Sequence, residues 1–507
     1  MALTTSSPPL LVNINIPKFR INEQESSKFH HGSLPSLTLS EVIVEIKMLY
    51  TIALPMIITG LLIYGKSLVS MLFLGRLGKD ALAGGSLAIG IANITGYSVI
   101  SGLAMGMEAI SSQAFGAKKW PLMSQTLQRT IIILLLACIP ISLLWLNIEP
   151  ILIFCNQDPT ISSIASTYLT FCLPDLIFQS LINPLKIYLR SQNITLPIIF
   201  SAAFALSLHA PINYFLTNHT SLGIQGIALA VAITDFNLLA ALTAYACFAG
   251  IHREYWLGGW GAIQCCCCFS VCLEWWWYEL MILLSGTLSN AAEAVATMGI
   301  LLQATSLVYI FPSALSLAVS TRVGNELGAN QPSNARASSF IALFCAILTS
   351  LIAVLFMVMF GDTWAGAFTE DKAILGLSAT LMPVVGLCEL GNCPQTAGCG
   401  VLRGSARPSL GVHINLGSFY GVGLPLAVFL GFGLKLGLLG LWLGLLVAQV
   451  VCAILMFWAF RRTDWVDEAK RARELIGVEM EDEGELNEGL IPIKTVNQYF
   501  KSDSAAV

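Results

Sequence analysis

The chain has 507 residues, 56% of them hydrophobic and only 11% charged, with a formal net charge of −4 and a mean hydropathy of +0.75. Soluble domains carry about 25% charged residues, so the composition argues against a soluble fold and for a multi-pass membrane protein. The faintly acidic balance gives no reason to expect a nucleic-acid partner.

Residues 1–47 are polar, Ser/Pro-rich and mixed in charge, and hold no short basic-then-apolar signal with a cleavage site. They read as a disordered cytosolic tail. Twelve stretches of roughly 20 apolar residues follow, at about 48–74, 81–106, 128–148, 162–188, 196–217, 223–250, 262–286, 294–318, 338–360, 373–400, 410–432 and 437–460. The first six form an N-lobe (48–250) and the last six a C-lobe (262–460), with a polar connection at 251–261 between them. After Arg461 and Arg462 the chain turns acidic, with Glu479, Glu481, Asp482, Glu483, Glu485 and Glu488 close together. Residues 461–507 read as a solvated tail.

Lys and Arg set the expected orientation. With the N-terminus in the cytosol, the even-numbered connections hold Lys118, Lys119, Arg129, Lys186, Arg190, Arg253, Arg322, Arg336, Arg403 and Arg407. The other side holds Arg76, Lys79, Lys372 and Lys435. Ten against four puts both termini in the cytosol and the sequon at Asn218 on the exoplasmic side, where it can carry a glycan. The fourteen cysteines lack a regular scaffold spacing and read as small apolar packing residues. The run Cys265 to Cys268, followed by Cys272, has no His or carboxylate companions of the kind a metal site needs. No metal and no cofactor is expected.

The two sets of six spans repeat at a spacing of 210 to 214 residues. Ser112-Gln113-Ala114-Phe115-Gly116-Ala117 lines up with Gly324-Asn325-Glu326-Leu327-Gly328-Ala329, Leu189-Arg190 with Leu402-Arg403, and Pro211 with Pro425. Six is even, so both halves enter the membrane in the same direction. The expected fold is all-α, with twelve helices in two parallel six-helix repeats that can rock about a central cavity.

Acids inside the spans are few: Asp175 in span 4, Asp235 in span 6, Glu274 and Glu279 in span 7, and Glu389 in span 10, with Glu108 at the end of span 2. A carboxylate at the membrane midplane costs a few kcal/mol or more, and chains keep such groups mainly to bind or relay ions or protons. Glu274 and Glu279 are five apart, about 140° around a helix, so Glu274 is expected to face the C-lobe interior and Glu279 a neighbouring helix or the cleft. Low dielectric favours the neutral carboxyl, which suits a group that loads and releases a proton near neutral pH. A sodium site would gather a dense set of acids and amides, and none is visible. The other reading is that these glutamates sit neutral and hydrogen-bonded, holding helices together.

In span 10, Glu389 and Asn392 share a face, while Pro394 interrupts the ladder and Gln395 follows it. Either the interrupted segment lines a cavity with free carbonyls or it is a kinked packing helix. Lys66 in span 1 is expected to snorkel or to pair with an acid. Asp175 and Asp235 are candidates for the cavity. Gln303, Tyr309 and Pro312 of span 8, with Trp275, Trp276, Trp277 and Tyr278, would suit a flat hydrophobic or cationic organic substrate, unless the tryptophans face lipid.

Four segments together resemble one family, the multidrug and toxic compound extrusion (MATE) transporters, in their plant form. They are EAISSQAFGAKK (Glu108–Lys119), CLEWWWYE (Cys272–Glu279), STRVGNELGA (Ser320–Ala329) and GVLRG (Gly400–Gly404). The resemblance runs from about residue 48 to about 465. It implies a two-lobed, V-shaped secondary antiporter that exports organic compounds in exchange for protons or sodium, protons in most eukaryotic members. Glu274 matches the family's proton-coupling acid of span 7, and Glu279 a second glutamate common in eukaryotic members. Glu108, Gln113, Gly116, Arg322, Asn325, Glu326, Gly328 and Arg403 fall in the shared signatures.

The chain departs from the pattern twice. The family's span 10 acid lies eight residues before the glycine that opens GVLRG, which is Asn392 here; Glu389, one turn earlier, is the candidate to replace it. The cysteine run stands where relatives have a longer loop. The resemblance implies secondary metabolites, hormone-like molecules or xenobiotics as substrates, a monomer, and a plasma, endosomal or vacuolar membrane. A lipid flippase of the wider superfamily and a non-transporting scaffold or signalling protein are the other readings.

Overall fold

The computed structural model describes residues 38–155, 157–220, 222–249, 266–288 and 290–477. The expected inter-lobe connection (251–261), Cys265, residues 1–37 of the first tail and the acidic run from Glu479 to Glu488 lie outside the described residues.

Twelve long helices follow the twelve expected spans. They are α1 Leu39–Leu77, α2 Asp80–Gly116, α3 Trp120–Leu146, α4 Pro159–Ser191, α5 Leu196–Asn218 and α6 Ile224–Phe248. The second six are α7 Cys266–Ser285, α8 Ala291–Gly328, α9 Pro332–Gly366, α10 Lys372–Gly404, α11 Pro408–Gly433 and α12 Leu438–Arg461. Eleven are long and apolar enough to cross a membrane; α7, beside the undescribed 250–265, takes the seventh place.

Both tails are more structured than expected. α1 begins nine residues early because Thr38 and Glu41 close a capping box. The Thr38 N–H donates to Glu41 Oε2 at 2.7 Å and the Glu41 N–H to Thr38 Oγ1 at 3.4 Å, satisfying two orphan donors reciprocally. At the other end a thirteenth helix, α13 Trp465–Leu475, replaces the start of the solvated tail. Asp464 caps it through the Val466 and Asp467 N–H groups. Trp465, Ala469 and Ala472 are buried, the i, i+4, i+7 stripe of an amphipathic helix.

The inter-lobe contacts carry the symmetry of the repeat. α1 packs on α8, α7 packs on α2, and the ends of α2 and α8 pack on each other. An axis that takes each helix to the one six places on exchanges the first two contacts and maps the third onto itself. Two parallel repeats about an axis along the membrane normal require this pattern. At the crossing, a Cβ on Gly116 would overlap the Asn325 carbonyl and one on Gly328 the Gln113 carbonyl. The repeated sextets touch each other there, and only glycine allows the two backbones to approach so closely.

Above the crossing, Gly102 lies against the Cys268 backbone, Cys272 Sγ is 3.9 Å from Ser98 Oγ, and Trp276 Nε1 donates to the Ile94 carbonyl at 3.2 Å. These contacts run along the middle of α2, so the lobes meet from the glycine crossing to about halfway along the bundle.

Two helices are irregular where the sequence signalled nothing. α2 carries a π-helical turn at Asn93–Tyr97, and α11 carries two, at Leu416–Gly423 and Phe429–Gly433. In contrast, α10 stays helical through Pro383 and Pro394, which fits the packing-helix alternative and not the broken segment. A proline removes one N–H, and packing on neighbouring helices lets the ladder resume on either side.

Candidate functional site

Each lobe holds one polar centre, and a third polar cluster closes the end where they meet. In the C-lobe, Glu389 of α10 is 1% exposed and has no salt bridge among the described residues. Its Oε2 accepts from Asn392 Nδ2 at 2.8 Å and faces the Cys393 thiol at 3.8 Å. Asn392 Oδ1 in turn accepts from Gln449 Nε2 of α12 at 3.4 Å. Gln395 donates to Asn415 Oδ1 of α11 at 3.4 Å. Asn392 thus links Glu389 to Gln449, its amide N–H toward the acid and its oxygen toward α12.

Glu274 of α7 points into the same half. The side chains of Tyr309 and Gln395 lie beside its carboxyl group, and Arg403 is within its electrostatic reach. Its Oε1 is buried with no hydrogen-bond partner among the described residues. Tyr278 feels both Glu274 and Glu389, which places the two acids around one centre. Glu279, five residues on, is partly buried and lies outside this network.

The N-lobe centre is built differently. Lys66 Nζ of α1 sits 2.8 and 2.9 Å from the two oxygens of Asp235, and Gln179 of α4 donates to Asp235 at 2.6 Å. Tyr97 of α2, in the π-helical turn, donates to Asp175 at 2.5 Å. Asp175 and Asp235 are 1% and 2% exposed, so both acids expected at the cavity lie inside the lobe. Beside them His209 bonds to Ser70, Thr234 and Asn213.

The termini end is closed by charge. Glu108 of α2, fully buried, accepts from Arg190 of α4 at 2.7 Å and from Arg403 of α10 at 3.3 Å. These are the two arginines that the repeat relates, and one carboxylate holds both. Arg403 also donates to Ser316 at 2.9 Å, and Gln113 Nε2 donates to the Gly404 carbonyl at 3.0 Å. Asn325, with its amide turned to donate, reaches the Ser112 carbonyl at 2.8 Å. Arg322 pairs with Glu326 at 2.5 Å on its own helix and with Glu45 of α1 at 3.0 Å; Ser338 also donates to Glu45.

The description of the MatE family matches residues 55–215 and again 267–429, one copy per lobe. The chain belongs to the MATE family of multidrug and toxic compound extrusion transporters.

Among curated proteins it is 54% identical to Protein DETOXIFICATION 48 of Arabidopsis thaliana over 441 residues, covering 85% of this chain and 83% of that one. Protein DETOXIFICATION 49 of the same plant is 52% identical over 449 residues, covering 86% and 89%. Among solved structures, the eukaryotic MATE transporter AtDTX14 superposes with a TM-score of 0.81 at 29% identity, over 86% of this chain and 99% of that one. An outward-facing multidrug resistance MATE transporter, at 16% identity and a TM-score of 0.74, shares the fold over 85% and 96%.

Within this MATE fold the tryptophan run does not form one wall. Trp277 is buried against Phe419 and Tyr420, with ring centroids 5.5 and 5.9 Å away, while Trp276 turns to α2. Successive residues step by about 100°, so three in a row face three environments. Gln303 accepts from Tyr64 of α1 at 3.3 Å, where the lobes meet, and Pro312 is buried within α8. Cys268 and Cys272 stand 3.9 Å apart in packing contact with α2. Asn218 is exposed at the last turn of α5, at the end opposite the termini.

Glu45, His209, Asn415 and Gln449 were not singled out in the sequence. The signal for Glu45 was present: the Thr38-x-x-Glu41 box ahead of an apolar pattern marks a helix start. The other three are lone polar residues in apolar spans, and nothing local names their partners.

Proposed function

We propose that this MATE transporter exports organic compounds in exchange for protons by alternating access, with Glu274 and Glu389 as the proton-carrying groups. The contrast between the lobes carries this reading. Among the described residues, Asp235 has a lysine on it and Asp175 lies in the same centre, bonded to Tyr97, whereas the C-lobe centre of Glu274 and Glu389, like Glu279, has no salt bridge and no lysine of its own. A carboxyl group held by neutral donors has no tethered counter-charge, so a proton or an arriving cation can supply it. Proton and cationic or amphipathic substrate then compete for one centre, which is what antiport requires.

The termini end is the cytosolic one on this proposal, following the Lys/Arg bias, and the V opens to the exoplasmic side. The chain acts as a monomer, since each centre is assembled within one chain. Substrates are secondary metabolites, hormone-like molecules or xenobiotics, moved across a plasma, endosomal or vacuolar membrane. The flippase reading loses its cation, because Lys66, the candidate for a lipid headgroup, is held by Asp235.

The test is uptake into sealed proteoliposomes under imposed proton or sodium gradients, with a panel of organic cations and anions. Transport that follows the pH gradient supports the proposal. Transport that follows sodium and ignores pH overturns it.

A further inference from the structure

α13 lies across the closed end and touches both lobes. Trp465, Ala469 and Ala472 belong to the buried core of the C-lobe, whereas Ile476, just past the last turn, belongs to that of the N-lobe. Polar contacts divide in the same way. On the C-lobe side Glu468 pairs with Arg407 at 3.1 Å, and Arg471 donates to the Ala406 carbonyl at 2.8 Å. On the N-lobe side the Lys119 ammonium, from the loop between α2 and α3, donates to the carbonyls of Ile476 and Gly477. A cation there also meets the negative end of the α13 dipole.

We infer that α13 is a latch on the gate, anchored on the C-lobe and released from the N-lobe whenever the termini end opens. The geometry sets the direction. Alternating access separates α2 from α8 at their glycine crossing, and a helix bound to both lobes cannot keep both sets of contacts. Three buried side chains, an ion pair and a side chain–carbonyl bond hold it to the C-lobe. One isoleucine and one lysine hold it to the N-lobe, so that end lets go. The latch stabilises the closed gate by what those two residues contribute, and weakening them shifts the balance toward the open gate without touching Glu274 or Glu389.

The inference rests on the alternating-access reading, and hydrogen exchange on the full-length protein in lipid nanodiscs separates the two. Three peptides report: 108–119 and 320–330 for the gate, and 464–477 for α13. In the native protein a change of pH must alter the protection factors of the gate peptides, after correction for the intrinsic pH dependence of amide exchange; if it does not, proton-driven alternating access itself fails. With that established, Ile476→Ser should speed exchange in both gate peptides by roughly tenfold, the scale of losing a buried aliphatic side chain. Lys119→Ala, which removes no core packing, should give a smaller rise in the same direction. Gate exchange unchanged in both variants overturns the latch, whether or not α13 itself has loosened.

Discussion

The two lobes share a fold and a repeated sequence, yet their polar centres are charged on opposite principles. The N-lobe centre brings its own cation: Lys66 lies on Asp235, Gln179 completes that acid's shell, and Tyr97 bonds to Asp175. The C-lobe centre uses amides and hydroxyls, with Asn392 on Glu389 and with Tyr309 and Gln395 beside Glu274. A carboxylate already matched by a tethered ammonium gains little from a proton. One matched only by neutral donors changes state when a proton or cation arrives. On the proposed function the difference favours the C-lobe for exchange, with Asp175, bonded to the neutral Tyr97, as the N-lobe acid most like the C-lobe pair.

The largest effect that sharpens this comparison is expected at Glu274. Glu274→Gln keeps shape and hydrogen bonding but cannot titrate, so gradient-driven transport in proteoliposomes should fall to background while substrate binding persists. Full proton-driven activity in that variant would erase the assignment of exchange to the C-lobe.

Asp235→Asn should act through stability. Removing one partner of a buried pair strands the other charge, at about 3–5 kcal/mol, so the thermal midpoint in detergent should drop well below that of Glu274→Gln. Pairing it with Lys66→Met should recover most of the loss. A double variant that stays stable but loses proton coupling would give the N-lobe an exchange role.

Glu389→Gln should cripple transport less completely than Glu274→Gln, and Asn392→Asp should retain transport with a shifted pH optimum. Near-normal rates and an unchanged pH profile in Glu389→Gln would leave Glu274 as the lobe's only coupling residue. The smallest effect is expected between the repeat-related arginines. Arg190, 2.7 Å from Glu108 and nearly enclosed, should lose more stability on change to Lys than Arg403, at 3.3 Å. The gap should be roughly 1 kcal/mol, the scale of one charge-assisted hydrogen bond. Equal losses would mean that Glu108 treats both lobes alike.

The parts of this architecture that follow from local pattern were legible in the sequence. Span length rests on the cost of polar groups in lipid, and the sextets around Gly116 and Gly328 announced the repeat. Partners were not legible. Lys66 and Asp235 are 169 residues apart, and nothing near Lys66 distinguishes pairing from snorkelling. Glu45 was passed over, despite the Thr38-x-x-Glu41 box, because an apolar window cannot start until the charged first turns of α1 have passed. α13 was hidden because an amphipathic helix with Asp467, Glu468, Lys470, Arg471 and Arg473 has the composition of a tail. The three π-helical turns leave no trace in hydropathy, since they change the ladder and not the residues.

One guanidinium stands between the gate and the C-lobe centre. Arg403 is bonded to Glu108 across the lobe boundary and lies in the field of Glu274 within its own lobe. If the lobes part at that end, as the proposed alternating access requires, Glu108 keeps Arg190, which travels with it, and Arg403 is left with Glu274 as a remaining acid within its reach. Opening is therefore a transfer of counter-charge from one carboxylate to another. Dissolved salt screens the first of these once water enters, so ionic strength on the termini side should set the opening rate, and that on the far side should not.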